Sequence, residues 1–299
     1  MRPSMHLTVA LFGFAFLGAG LTAMGQEKAK NESTSRGEAS VKIASLFRTA
    51  DLIGMPVRNA KGENLGKVND LVIDMKAGDV RYAALSFGGI AGLGGKLFAV
   101  PWQAMTFKFG EPNNINSRYF LFDVTKEKLE SAPGFDPSHW PDVADPQWSA
   151  SIDKHYDVER KQATSSSDKD QTRPNVAYET VFRSSKIKGM EVRSDLGEDV
   201  ARVDELVINV TKGQVRYVVL ASGSLLSGGT KLHAVPLSSL ILTHANDKTF
   251  LVLRMSKEAL KEAPSFENNN WPSTSDPNWS RNIDTYYERN AQRTEDKRP

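Results

Sequence analysis

From residue 55 to residue 124 the chain alternates short apolar runs with polar turns that carry glycine. A short extended run at 55–59 reaches a turn at 60–63. A long segment at 66–75 then runs through Leu71, Val72 and Ile73 to a second turn at 76–79. Residues 80–87 follow, a glycine-rich loop at 88–95 leads into 96–101, and 106–109 and 119–124 complete the series. Runs this short, rich in β-branched and aromatic residues and broken by glycine turns, predict six strands of an all-β barrel rather than βαβ units. Closing the barrel would hide the strand edges that a small open sheet exposes.

The same pattern then returns. Phe47-Arg48-Thr49 recurs as Phe182-Arg183-Ser184, 135 residues later, and the register holds without a gap as far as Ala99-Val100-Pro101 and Ala234-Val235-Pro236. A second shared block lies 131 residues apart. It pairs Trp140-Pro141 with Trp271-Pro272, Trp148 with Trp279, and Tyr156 with Tyr287. The four lost residues fall between 111–117 and 244–248, where a tolerated deletion marks a hairpin tip. A period this long is a duplicated domain, not a solenoid repeat. Thr125 and Ser256 are suited to cap short helices at 126–131 and 257–263, stopped by Pro133 and Pro264. The irregularly spaced aromatics beyond them predict a clasp folded over each barrel, with a helical turn or two around 148–156.

The first 25 residues have the layout of a secretory signal. Arg2 precedes an apolar centre, and Ala23 and Gly25 stand at cleavage spacing, so Gln26 is the expected mature N-terminus. The rival reading is an uncleaved anchor over residues 7–24. The polar segments 26–40 and 159–175 predict a disordered leader and a flexible linker, and 290–299 a frayed tail. The two domains are then 41–158 and 176–289, each expected to fold as its own unit.

Charge and cysteine content narrow the chemistry. With 38 basic and 36 acidic residues the chain has no basic nucleic-acid footprint, and the absence of cysteine excludes disulfides, zinc-thiolate sites and thiol catalysis.

Gly54-Met55-Pro56-Val57, Gly62-Glu63, Leu71-Val72-Ile73-Asp74, Val80-Arg81-Tyr82 and Phe98-Ala99-Val100-Pro101-Trp102 resemble the PRC-barrel domain in order and spacing. That family is named for the reaction-centre H subunit and includes the ribosome maturation factor. The resemblance spans about 47–122 and 182–255. It implies a small β-barrel and an adaptor role, with no catalytic motif. The expected fold is therefore mainly β: two tandem six-stranded PRC-type barrels, each followed by a short helix and a Trp-rich C-terminal clasp.

Candidate chemistry is sparse. The loop 88–95 opens no helix, as a phosphate-binding fingerprint must. Asp70 and Asp74, matched by Glu205 and Asn209, are read as strand-end or turn residues. The histidines at 139, 155, 233 and 244 have no counterpart in the other copy and give no metal spacing. No cofactor is expected. Arg81 and Arg216, set in apolar strands, are expected to pair with Asp153 and Asp284 of the clasps. Trp140, Trp148, Tyr156, Trp271, Trp279 and Tyr287 are read as packing anchors, with a sugar-stacking platform as the alternative. The expected function is that of a non-enzymatic adaptor, periplasmic or secreted, binding a protein partner or the membrane periphery. Glycan or small-molecule binding on the clasp is one alternative. RNA or ribosome binding, after the manner of the maturation factor, is the other, although no nucleic-acid partner is expected.

Overall fold

A computed structural model describes residues 45–87, 95–111, 114–159, 179–223 and 230–295. The expected signal segment, the leader 26–40, the linker apart from residue 159, and most of the loop 88–95 lie outside these residues. All described residues belong to one compact unit, Ser40–Pro299.

The first copy contains β1 (Leu46–Arg48), α1 (Thr49–Leu52), β2 (Pro56–Arg58), β3 (Asn64–Asp74), β4 (Asp79–Ser86), β5 (Leu97–Pro101), β6 (Met105–Glu111) and β7 (Asn114–Phe122). It ends in α2 (Lys126–Glu130), β8 (Gly134–Phe135) and α3 (Pro146–His155). The second copy repeats this order with β9 (Val181–Arg183), α4 (Ser184–Ile187), β10 (Glu191–Arg193), β11 (Asp199–Asn209), β12 (Gln214–Ser222), β13 (Lys231–Pro236), β14 (Leu240–Ala245) and β15 (Lys248–Leu253). It closes with α5 (Lys257–Lys261) and α6 (Pro277–Glu295). Thr125 and Ser256 do cap α2 and α5, accepting from Lys128 N and Ala259 N at 3.2 Å. The shortened tip is a tight hairpin turn with Asn246 and Asp247 both at positive φ, which matches the twist of the flanking strands.

The fold is mainly β, and the six main strands of each copy pair in equivalent orders, β5-β4-β3-β2-β7-β6 and β13-β12-β11-β10-β15-β14. Closure into two separate barrels is not observed. No ladder joins β5 to β6, because Pro101 supplies no N–H and a 3₁₀ turn at Trp102–Ala104 carries the chain away. The outer edge of β5 is taken instead by β8, at Leu97↔Phe135 and Phe98↔Gly134.

The copies are joined through their first strands, which they exchange. β1 pairs with β11 of the second copy (Phe47↔Ile208), and β9 pairs with β3 of the first (Phe182↔Ile73). Met75 N donates to Thr180 O at 2.8 Å, and at the equivalent place Val210 N donates to Ser45 O at 2.9 Å. β4 and β12 meet at Asp79↔Gln214, where Val80 N bonds Gly213 O (2.7 Å) and Val215 N bonds Gly78 O (2.8 Å). One fifteen-stranded sheet results, and one apolar core runs through both copies, from Leu71 and Tyr82 to Leu206 and Tyr217. Independent folding of 41–158 and 176–289 does not follow from this arrangement, because each copy supplies a strand that the other pairs.

Glycine is required at this seam. At Gly213 (φ +66°) an added Cβ would lie 2.5 Å from Trp102 Cδ1, while at Gly78 (φ +78°) it would lie 2.8 Å from Leu237 Cδ2. Both positions combine a left-handed backbone with a close approach. Gly213→Ala is expected to cost about 2–3 kcal/mol in urea unfolding, with a smaller loss at Gly78, where a leucine terminus can shift.

Candidate functional site

The two carboxylates read as strand-end residues are buried at the seam, and their donors come from the other copy. Asp70, 5% exposed, accepts from Ser184 Oγ and Ser185 Oγ, both at 2.6 Å, from Ser185 N at 3.3 Å and from Leu71 N at 2.8 Å. Glu205 takes the Thr49 hydroxyl and Leu206 N in the equivalent position. Each thereby anchors the first turn of the opposite copy's short helix, α4 or α1. Asp74 and Asn209 are the turn residues expected, accepting from Lys76 N, Ala77 N and Lys212 N at 3.1 Å.

The arginines differ between copies. Arg216 pairs with Asp284, as expected. The ion pair observed for Arg81 is with Asp74, at 2.7 Å, instead of Asp153. Asp74 offers a carboxylate one turn away, whereas Asn209 at the same place is neutral and leaves Arg216 to reach α6. Asp153 instead receives the Tyr82 hydroxyl at 3.1 Å, matching Tyr217 to Asp284 at 3.0 Å. Trp148 and Trp279 meet those two tyrosines edge-on with ring centroids 5.3 Å apart.

Trp140 and Trp271 are half-buried. Each packs on a phenylalanine of its own copy, Phe135 or Phe266, with centroids 4.8 Å apart. Each also lies beneath an arginine of the other copy: Arg183 stands 4.5 Å from the Trp140 ring and Arg48 5.0 Å from the Trp271 ring. Trp140→Ala is expected to cost about 2–3 kcal/mol, less than the full loss for a core aromatic, and a denaturant melt followed by far-UV dichroism checks it.

Tyr156 and Tyr287 are buried, and their hydroxyls have no hydrogen-bond partner among the described residues. Burial pushes both pKa values up. Tyr156→Phe should therefore be neutral or stabilising, by at most about 1 kcal/mol, since it removes a desolvated group that bonds nothing. A loss of more than that in the same melt would show that the hydroxyl has a partner.

Family models place these elements. The PRC-barrel domain matches residues 45–129 and again 179–258, together more than half of the chain. The chain belongs to the PRC-barrel domain family. Both matches begin just before the exchanged strands and end within the short capped helices, so the aromatic segments at 140–156 and 271–287 lie beyond the matched residues. A search of the curated proteins finds no match.

Among the described residues no helix is long and apolar enough to cross a membrane, and no group of three or more His, Asp or Glu side chains is placed to hold a metal ion. One histidine does stand apart. His233 is 1% exposed, and its Nε2 lies 3.0 Å from Ser222 Oγ. Burial lowers the pKa of its imidazole, opposed by nearby backbone carbonyls of Pro264 and Ala263. Spacing alone does not mark it, because no second histidine stands at ligand distance from it in the sequence. The signal available was its partner position in the first copy, which is Phe98.

Proposed function

We propose that this chain is a non-enzymatic, exported adaptor of the cell envelope that binds a protein partner, or the membrane periphery, through its paired PRC-barrel domains. The observation that carries this reading is the pair of equivalent strands, β6 and β14, which end the main strand path of the joined sheet. Each shows a large apolar side chain to solvent, Phe109 at 53% and Ile241 at 42% exposure. Unpaired strand edges with apolar side chains are suited to accept an added strand from a partner. Two such edges in one compact unit can engage a dimeric or repeated target with raised effective concentration. In this reading the Trp-Pro segments are clasps that hold the copies together. The guanidinium contacts on Trp140 and Trp271 support that role over a sugar-stacking platform.

The test is made in the native host. The chain should be recovered from the envelope with a mass beginning near Gln26. A photo-crosslinking residue at position 109 or 241 should then yield one discrete adduct, lost on Phe109→Lys or Ile241→Lys with the unfolding midpoint unchanged. Recovery from the cytoplasm with residues 1–25 attached would remove the export reading. A chain that forms no adduct at either edge would remove the adaptor reading.

A further inference from the structure

We propose that the cavity beside Ser222 and His233 in the second copy is a binding site for a phosphate group. This site goes beyond the adaptor reading and does not depend on it. The cavity has a volume of about 770 Å³ and lies between the start of β11, the end of β12, the start of β13, and α5.

The duplication supplies an internal comparison. In the first copy the equivalent residues are Phe87 and Phe98, whose rings meet edge-on with centroids 6.3 Å apart. That pair is an apolar filling. In the second copy the same two positions hold a hydroxyl and an imidazole in mutual hydrogen bond. His233 is almost wholly buried and lines the cavity, its ring held between Ser222 Oγ and the backbone carbonyls of Pro264 and Ala263. Exchanging two packed rings for a buried polar pair costs desolvation that packing alone gives no reason to accept.

The charges around the cavity select the ligand. Lys231, Lys257 and Lys261 line it, and none of them has an ion pair with a carboxylate among the described residues. Arg202 is already held by Glu191 and Asp199, at 3.3 and 2.9 Å. Of the two acids on the lining, Asp199 is thus occupied and Glu262 remains. Three ammonium groups against one carboxylate favour a compact anion of more than one charge, and lysines serve such an anion as point charges. Where His233 Nε2–H donates to Ser222 Oγ, the Ser222 hydroxyl is free to donate to a phosphate oxygen, and the buried ring supports the contact from behind. The first copy keeps Lys96 and Lys126 at the places of Lys231 and Lys257, but Glu130 stands where Lys261 stands and the ring pair replaces the polar floor.

Titration of the intact protein with inorganic phosphate at constant ionic strength, read by histidine and lysine NMR shifts, tests the site. Saturable shifts at His233 are expected, with a dissociation constant near 1 mM or tighter, about −4 kcal/mol. The double variant Ser222→Phe/His233→Phe restores the first copy's pair and should weaken binding at least tenfold. Lys261→Glu, an exposed change that restores the first copy's charge, should do the same, and it decides the matter if the double variant fails to fold. Absence of saturation up to about 20 mM phosphate, or equal binding by Lys261→Glu, overturns the proposal. Co-sedimentation with phosphatidic acid vesicles but not with phosphatidylcholine vesicles, abolished by Lys261→Glu, would assign the phosphate to a lipid headgroup. Phosphate saturation without sedimentation would assign it to a soluble molecule.

Discussion

Replacing Asp70 by alanine is expected to destabilise the whole chain by about 3–5 kcal/mol, although the residue lies near neither end of the sheet and touches no candidate ligand. Its carboxylate receives two serine hydroxyls and a backbone amide from the opposite copy, besides Leu71 N. Hydrogen bonds to a buried charge each contribute about 1.5–3 kcal/mol, and donors left unsatisfied add their own desolvation cost. Glu205→Ala should cost less, because Glu205 holds the Thr49 hydroxyl and a single amide. Both losses should appear in one transition reported identically by fluorescence and by far-UV dichroism, since the core is shared. A midpoint shift worth less than about 1 kcal/mol for Asp70→Ala, the size typical of a surface site, would show that this anchor does not hold the copies together.

Cutting the chain between the copies is expected to leave them joined. With a protease site placed in residues 160–175, cleavage should yield two fragments that still elute as one species. β1 and β9 remain paired to the opposite copy, and the Trp140 and Trp271 contacts cross in the same way. The measurable change is in mass action. The uncut chain should have a Tm independent of concentration, whereas the cut complex should melt at a temperature that rises with protein concentration, because its unfolding now separates two molecules. Fragments that elute apart in native buffer would mean that the exchanged strands contribute little.

The strands themselves were legible because glycine turns and apolar runs mark them locally. Five of the first copy's six main strands fall within two residues of where the pattern put them; β7 begins five residues earlier, at Asn114. What the pattern could not carry was ownership. A run such as Leu46–Arg48 shows that it can be extended and half-buried, but period-two alternation does not say whose strand lies beside it. Asp70 and Glu205 looked like ordinary strand-end acids for the same reason: their partners are 114 and 156 residues away in sequence. The pairing of Arg81 was misread because one substitution, Asp74 against Asn209, redirects an otherwise matching arginine. Barrel closure failed on a detail of chain direction at Trp102–Ala104, where the motif Val-Pro-Trp gives no sign that β8 will take the β5 edge. The aromatic segments stood out by their repetition, but the arginines that the other copy sets over Trp140 and Trp271 gave no sign in the sequence.

The exchanged first strands also bear on how the two copies can change. Two separate identical chains joined in this way would form a symmetric pair, and any substitution in one would enter twice, at both equivalent positions. With both copies on a single chain, a substitution enters once. Phe87 and Phe98 can stay as packing on one side while Ser222 and His233 take their places on the other, and the intact half keeps supplying the strand and the carboxylate that its altered twin needs to stay folded.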